Sequence, residues 1–237
     1  MQLFVGTSGF SYKEWQGIFY PEKISPKEML RFYAQRLATV EINNTFYHQP
    51  TEAVLTSWAE QVPEEFVFTF KTPQVITHFK RLQNVDEETA YFFRTLARLN
   101  QRLGPVLLQF PKNFKADPPL LEKFLTLIPA YIACAFEFRS PTWLTAEIFD
   151  LLQVRDFSLC TPDTDDNPPA EIVKTASWGY LRLRRSDYTE ADLSRWLDRI
   201  LAQHWKKAFV YFKHEEKAKG PATALRFFEQ HKFKTAN

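Results

Sequence analysis

The chain has 237 residues, of which 23 are Phe, 9 Tyr and 6 Trp but only 6 Gly, and its formal net charge is +2. So little glycine argues against a glycine-rich phosphate loop or a collagen-like chain, and a charge near neutrality does not indicate non-specific nucleic-acid binding. No apolar run reaches the roughly 18 residues of a membrane span and no basic leader is visible, so we expect a cytoplasmic protein without a membrane partner. Cys134 and Cys160 lie in apolar runs without CxxC spacing, which predicts buried, reduced thiols.

Short apolar or β-branched runs alternate with longer segments of helical period along the chain. The predicted strands span 2–7, 38–43, 66–71, 105–110, 132–138, 156–161, 179–184 and 207–213. The predicted helices span 27–37, 51–61, 86–102, 118–128, 144–153, 189–204 and 220–231, with a short further helix around 168–175. This alternation predicts a single domain over 1–237, an α/β fold of the (β/α)8 TIM-barrel type with a parallel eight-stranded sheet ringed by helices. An open doubly wound sheet is the alternative, and it fits less well because no glycine fingerprint follows the first strand.

Polar side chains share one parity near the ends of six predicted strands. The residues on this parity are Glu41, Asn43, Lys71, Gln109, Glu137, Arg139, Arg182, Arg184, Tyr211 and Lys213. Because successive side chains alternate between the two faces of a strand, these groups are expected to point into the barrel lumen. Barrels of this type place their chemistry at the carboxyl ends of the strands, so the pattern predicts one polar mouth.

Glu41 and Glu137 lie inside otherwise apolar strands. A buried carboxylate costs several kcal/mol unless it is paired, so one interpretation is a structural ion pair with Lys71, Arg139 or Arg182. The other is a catalytic general acid or base, or a metal-binding carboxylate, beneath a substrate.

The cations of the predicted mouth favour an anionic ligand, because arginine donors match phosphate or carboxylate geometry. The alternative is that they only neutralise Glu41, Glu137 and Asp163. His78 follows the third strand, in a segment that is either part of the site or a solvated loop. The run containing Asp163 is either cation-binding or a turn and helix cap.

The five histidines are scattered without HxxxH or HExxH spacing, so no metal ligand is predicted, and the pattern identifies no cofactor. No GxSxG elbow is present and neither cysteine has an obvious histidine partner, which argues against covalent Ser or Cys catalysis.

Five motifs give the chain a family resemblance. GTSGFSYKEWQGIFYP follows the first strand, VEINNTFYHQP covers the second, and FKTPQVITHFKRL, GPVLLQFP and FEFRSPTW mark the next three units. Over about 2–230 the sequence resembles the YecE-like family, a domain of unknown function with a TIM-type barrel. The resemblance supports the barrel and implies no particular reaction. A similarity of that fold to endonuclease IV-type barrels suggests phosphodiester or nucleic-acid binding by analogy.

Carried over by position, the family pattern falls on Gly6, Thr7, Ser8, Tyr12, Trp15, Tyr20, Pro21, Glu41, Asn43, Thr45, Phe46, Tyr47, Lys71, Pro73, Thr77, His78, Gln109, Pro111, Glu137, Arg139, Trp143 and Asp163. The last third departs from it. Relatives tend to read RLHG and YFNND where this chain reads RLRR, from Arg182, and YFKHE, from Tyr211. Either this chain lacks any chemistry of those positions, or it uses Arg184, Lys213 and His214 instead.

Together these observations predict an enzyme, a hydrolase or a lyase/isomerase working by acid/base chemistry, that acts on an anionic, phosphorylated substrate. The predicted catalytic residues are Glu41, Glu137, Lys71 and Arg139. The predicted substrate-binding residues are Tyr12, Trp15, Asn43, Tyr47, His78, Gln109, Asp163, Arg182 and Tyr211. The alternatives are a nucleic-acid-binding protein that uses the same mouth, a metal-dependent phosphodiesterase, and a barrel that binds a partner without turnover.

Overall fold

Nine parallel strands form one nearly closed, barrel-like sheet in the computed structural model, which describes residues 1–166 and 169–236. The strands are β1 (Gln2–Ser8), β2 (Thr39–Ile42), β3 (Val67–Lys71), β4 (Leu103–Phe110), β5 (Cys134–Phe138), β6 (Ser158–Leu159), β7 (Thr161–Asp163), β8 (Trp178–Leu183) and β9 (Lys207–Phe212). The helices are α1 (Met29–Ala34), α2 (Glu52–Ala59), α3 (Asp86–Leu96), α4 (Pro118–Leu125), α5 (Ala146–Val154), α6 (Glu190–Leu201) and α7 (Lys219–Ala236). The class of fold is therefore an α/β barrel.

The strand order is β6-β5-β4-β3-β2-β1-β9-β8-β7, and each neighbouring pair is parallel. Close approach of β1 to β2 depends on a glycine: a Cβ on Gly6 would lie 2.1 Å from the backbone oxygen of Thr39. Because all strands run the same way, their carboxyl ends lie at one end of the barrel.

The predicted count of eight strands is wrong, and the error lies in the predicted strand 156–161. Its first part, β6, pairs with β5, whereas β7 pairs with β8, so the chain changes partners at Cys160. The backbone N–H of Leu159 donates to the hydroxyl of Thr175 at 2.8 Å instead of to a strand. Pro162 in β7 has no N–H to donate. One predicted strand is therefore two short strands, and the described sheet has nine.

Two apolar layers enclose the sheet. Between the strands and the helices pack Phe68, Phe70, Phe136, Phe138 and Phe212, as the parity of these residues predicts. The lumen contains a second, separate cluster that includes Phe4, Leu107, Tyr180 and Tyr211. Cys134 belongs to the outer cluster and Cys160 to the inner one, and both are free, buried thiols, as predicted. The aromatic excess of the sequence is thus largely packing.

The helix boundaries follow local signals where these are strong. Thr189 and Asp192 form a capping box at the start of α6. The predicted helix 86–102 instead ends at Leu96 and continues as a 3₁₀ segment, Ala97–Arg102, which is kinked at Asn100 by a positive φ of 50°. Residues 169–175 contain no helix, and residue 168 of that predicted helix lies outside the described residues. Among the residues described, no helix has the length and apolarity to cross a membrane.

Candidate functional site

A polar cleft of about 460 Å³ opens at the carboxyl ends of the strands. Its lining residues are Ser8, Tyr12, Asn43, Phe46, Tyr47, Lys71, His78, Gln109, Arg139, Arg182, Arg184 and Lys213. Eight of the thirteen predicted site residues line it, and they come from strand ends or from the loops that follow the strands.

Arg182 forms the floor of this cleft. Its side chain is only 2% exposed, and its two terminal nitrogens contact carboxylates of two other strands. Nη1 donates to Oε2 of Glu137 at 2.6 Å, and Nη2 donates to Oε1 of Glu41 at 2.8 Å. Because β2, β5 and β8 are not neighbours, this one guanidinium links three strands across the lumen.

Glu41 is buried and accepts hydrogen bonds on both carboxylate oxygens. Besides Arg182, the Ser8 hydroxyl donates to Oε1 at 2.7 Å and the Tyr180 hydroxyl donates to Oε2 at 2.6 Å. Asn43 adds an amide donor to Oε1 at 3.0 Å. Burial alone would raise the pKa of Glu41, but the Arg182 charge and these hydrogen bonds outweigh it and lower that pKa. Glu41 is therefore held as a carboxylate.

Glu137 is held in the same way. Its Oε1 accepts from the side-chain amide of Gln109 at 2.6 Å and lies 3.4 Å from Nε of Arg139 and 3.7 Å from Nη2 of Arg184. Burial opposes its ionisation, but the charges of Arg182, Arg184 and Arg139 prevail and lower the pKa of Glu137 to about 2.

Lys71 and His78 lie on the wall of the cleft, around the ring of Phe46. Nζ of Lys71 lies 3.8 Å from the Phe46 ring centroid, and the His78 ring packs edge-on against the same ring at 4.8 Å. Burial and the Arg182 charge lower the pKa of Lys71 to about 8. Burial and the Lys71 charge lower the pKa of His78 to about 4, so its imidazole is neutral at pH 7. Lys71 thus titrates near neutral pH, whereas His78 stays uncharged there.

The cleft has a surplus of positive charge. Five cationic side chains line it, and the two carboxylates beneath it are already paired with Arg182. A third carboxylate, that of the exposed Glu215, lies 3.8 Å from Lys213. The arrangement therefore has room for an anion, and side-chain cations would hold it.

Five predicted site residues do not line the cleft. Two of them, Glu41 and Glu137, lie directly beneath it as described. Trp15 is buried and donates its indole N–H to the backbone oxygen of Glu215 at 3.1 Å. The Tyr211 hydroxyl lies deeper in the lumen, 2.8 Å from the Thr39 hydroxyl.

Asp163, the last of these five, is buried on the α6 side of the barrel end. It accepts hydrogen bonds from the Trp196 indole at 2.8 Å and from the Tyr188 hydroxyl at 2.9 Å. Its Oδ2 also lies 3.1 Å from Nε of Arg185. These contacts are those of a packing centre between β7 and α6.

Five members of the site are absent from the predicted catalytic and substrate-binding residues, namely Ser8, Phe46, Tyr180, Arg184 and Lys213. Of these only Tyr180 is absent from both the family pattern and the polar residues that share strand parity. Tyr180 is buried and hydrogen-bonded to Glu41, and it lies two residues before Arg182 on the same parity of β8. That shared parity is the signal that could have identified it. Of the residues that depart from the family pattern, Arg184 and Lys213 line the cleft. His214 does not line it, and its Nε2 donates to the Arg184 backbone oxygen at 2.9 Å. Over the described residues, no three His, Cys, Asp or Glu side chains cluster in a way that could hold a metal ion.

The fold and this cleft define an α/β barrel protein with a cation-lined site at the carboxyl ends of its strands. The chain belongs to the family described as "Protein of unknown function DUF72", whose family model matches residues 4–237. The resemblance to YecE-like proteins is thereby confirmed.

Individual relatives agree with this assignment. The UPF0759 protein YecE of Escherichia coli K12 is 29% identical over 140 residues, which are 59% of this chain and 49% of that protein. The chain thus spans about half the length of the curated relatives it matches. The crystal structure of the DUF72 family protein TM1631 of Thermotoga maritima superposes with a TM-score of 0.86 at 28% identity and covers 98% of this chain and 100% of that one. The crystal structure of the DUF72 family protein EF0366 of Enterococcus faecalis superposes with a TM-score of 0.78 at 19% identity and covers 98% of both chains. At this identity the likeness is one of fold.

Proposed function

We propose that this protein is an enzyme that binds an anionic, phosphate-bearing small molecule in the cleft and acts on it by acid/base chemistry, as a hydrolase or a lyase/isomerase. The observation that supports the proposal is the surplus of cations over two carboxylates that are already paired. Forked guanidinium donors suit phosphate oxygens, and preorganised cations in a partly dry site stabilise developing negative charge.

The roles follow from the contacts. Arg139 and Arg184 are only loosely paired with Glu137, at 3.4 and 3.7 Å, so their remaining donors are free to contact phosphate. Lys71 is the group whose lowered pKa suits proton transfer near neutral pH, and we assign the uncharged His78 imidazole to substrate binding. A carboxylate with a pKa near 2 is a weak base, so we assign Glu137 a positioning role.

Glu41 receives the same assignment, because its lowered pKa and four donors keep it ionised beneath Arg182. The sequence-based assignment of both carboxylates as general acid or base stays a prediction.

Calorimetric titration with glycerol 3-phosphate tests the proposal. We expect wild-type protein to bind it, and Lys71→Ala to weaken binding about tenfold or more, because a charge-assisted contact contributes about 1.5–3 kcal/mol. The matched control is Lys123→Ala on the exposed side of α4, which removes the same charge outside the cleft and is expected to bind as wild type. Absence of binding by wild-type protein at millimolar ligand, or equal losses in both variants, would contradict the proposal.

A nucleic-acid ligand is the second candidate, and one observation favours it. Tyr47 is 67% exposed at the rim of the cleft and packs edge-on against Phe46 at 5.1 Å. An exposed ring beside cations is the arrangement on which single-stranded bases stack, at about 1–3 kcal/mol per base.

Titration with a short single-stranded oligonucleotide at two salt concentrations distinguishes the two candidates. A nucleic-acid binder loses affinity steeply with salt, and Tyr47→Ala weakens it further. If glycerol 3-phosphate binds while the oligonucleotide shows no salt-dependent binding, the second candidate is rejected.

We also propose a cytoplasmic location, as expected from the sequence. Its support is that Cys134 and Cys160 are free thiols in separate apolar clusters, which is typical of proteins in reducing compartments. Fractionation of cells that express the tagged protein would test the location, and recovery in a secreted fraction would contradict it.

A further inference from the structure

Lys71 differs from the other cations of the cleft. Each of the other four has a carboxylate within 4.0 Å: Arg182 has two, Arg139 and Arg184 share Glu137, and Lys213 has Glu215. In the described part of the chain, Nζ of Lys71 has no such carboxylate and no hydrogen-bond acceptor, and its recorded neighbour is the face of Phe46. Among the described residues, no ion pair therefore accounts for this ammonium group.

The surroundings of Lys71 are those of a nucleophilic amine. The group is partly buried, it lies among like charges, and it opens into a cavity of about 460 Å³. Lysines that are desolvated or adjacent to another cation are the ones that attack carbonyl carbons. With its pKa lowered to about 8, roughly one-tenth of Lys71 is neutral at pH 7.

An uncharged hydrogen-bonding side chain shares the aromatic ring that Lys71 contacts. The neutral His78 imidazole packs on the same Phe46 ring as Lys71, and Nδ1 of His78 lies 2.8 Å from the Thr77 hydroxyl. That hydrogen bond fixes the orientation of the ring, because Thr77 is fully buried in the π-helical turn Val75–Phe79.

We propose that Lys71 forms an imine with the carbonyl carbon of a phosphorylated aldehyde or ketone whose phosphate is bound by Arg139 and Arg184. This inference rests on the proposed function and narrows its substrate class. The Nζ ammonium first gives a proton to solvent, and the neutral amine then attacks the carbonyl carbon. The C=O electron pair moves to the oxygen, which takes a proton from the nitrogen to give a carbinolamine.

The second half of the step returns the proton and releases water. The carbinolamine hydroxyl takes up a proton from solvent, the nitrogen lone pair forms the C=N bond as the C–O bond breaks, and a protonated imine and one water molecule remain. The ammonium and the carbonyl thus give an iminium ion and water, with total charge conserved and no oxidation or reduction. An iminium nitrogen draws electrons from the adjacent carbon, which favours the lyase/isomerase form of the proposed chemistry over the hydrolase form.

Trapping with sodium borohydride tests the inference, since hydride converts an imine into a stable secondary amine. Full-length protein is incubated with dihydroxyacetone phosphate or pyridoxal 5′-phosphate, reduced, digested and mapped by mass spectrometry. We expect one saturable adduct on the peptide that contains Lys71, and competition by glycerol 3-phosphate, which lacks the carbonyl. Lys71→Arg keeps the positive charge and forms no imine, so it is expected to bind glycerol 3-phosphate and to lose the adduct.

The outcomes of this experiment distinguish failure of the inference from failure of the proposed function. Labelling spread over surface lysines and unchanged in Lys71→Arg overturns the inference. Binding of glycerol 3-phosphate without any adduct from either carbonyl probe also overturns it, while the proposed function stands. If wild-type protein neither binds glycerol 3-phosphate nor forms an adduct, the inference and the proposed function are both rejected. Lys123→Ala is the control, and its adduct on Lys71 is expected to match the wild type.

Discussion

Two arginines three residues apart on the β8 side of the barrel each join two carboxylates, yet they serve different ends. Arg182 lies in the lumen between Glu41 and Glu137, beneath the cleft. Arg185 lies outside it, 3.1 Å from Asp163 and 3.3 Å from Asp192 on α6. The ion pairs of Arg182 in the lumen, called the lumen centre below, lie beneath further cations that line a cavity. The ion pair of Asp163 with Arg185, called the outer centre, is instead enclosed by the aromatic donors Tyr188 and Trp196.

The difference shows that a buried ion pair does not by itself mark a site. The Asp163 centre joins a strand to a helix, and its hydrogen-bond donors, Tyr188 and Trp196, belong to the same packing unit. Arg182 offsets one of the two carboxylate charges beneath the cleft, and Lys71, Arg139 and Arg184 together exceed the other by two, so positive charge is left for a ligand. Surplus charge that faces open space is thus the better indicator of binding.

Removing Arg182 from the lumen centre is expected to have the largest effect on the free energy of unfolding. Arg182→Ala leaves Glu41 and Glu137 buried without their main partner, and removing one member of a buried pair costs about 3–5 kcal/mol. Urea unfolding at pH 7 measures this loss of the free energy of unfolding. The matched control is Arg139→Ala, whose side chain is 46% exposed and 3.4 Å from the same Glu137, and which should lose less than about 1 kcal/mol. Equal losses in the two variants would show that burial of the pair is not what matters.

Much of this centre was predictable because strand parity is a local property. Alternation alone placed Glu41, Lys71, Gln109, Glu137 and Arg182 at one mouth, and the structure brings all five to or just beneath the cleft. The partners were not predictable, since the choice depends on which strands face each other across the lumen.

Other features depend on contacts between distant parts of the chain. The division of the sixth predicted strand rests on the Thr175 hydroxyl, 16 residues from the Leu159 N–H that it accepts. Trp15 was predicted to bind substrate, but its indole donates to a backbone oxygen 200 residues away in the sequence. No pattern within a strand or a motif contains such information.

The second prediction concerns the outer centre and tests the sequence-based role of Asp163. Asp163→Asn removes the charge opposite Arg185 and weakens the acceptor for Tyr188 and Trp196, so we expect a loss of about 1–3 kcal/mol in the free energy of unfolding. Calorimetry with glycerol 3-phosphate should show unchanged affinity, since Asp163 does not line the cleft. Loss of affinity in a variant that remains folded would instead support Asp163 as a substrate-binding residue.

The smallest effect is that of pH on the affinity for glycerol 3-phosphate, and it tests whether Lys71 belongs to the surplus positive charge that binds the anion. Burial and the Arg182 charge lower the pKa of Lys71 to about 8, so Lys71 is mostly an ammonium at pH 7 and mostly neutral at pH 9. A phosphate monoester has lost its second proton by pH 7, so its own charge stays constant over this range. Affinity for glycerol 3-phosphate should therefore fall as pH rises through 8, by at most about tenfold per pH unit, because binding then requires proton uptake.

Lys71→Arg separates this effect from a general loss of affinity, because a guanidinium keeps its charge throughout the range. Its calorimetric affinity should stay flat from pH 7 to 9, and so should that of any variant in which Lys71 no longer titrates. A flat profile in the wild-type protein would mean that Lys71 does not contact the anion. The cleft would then bind the phosphate through Arg139 and Arg184 alone. The charge available to the ligand would be limited to these two arginines, which already share Glu137.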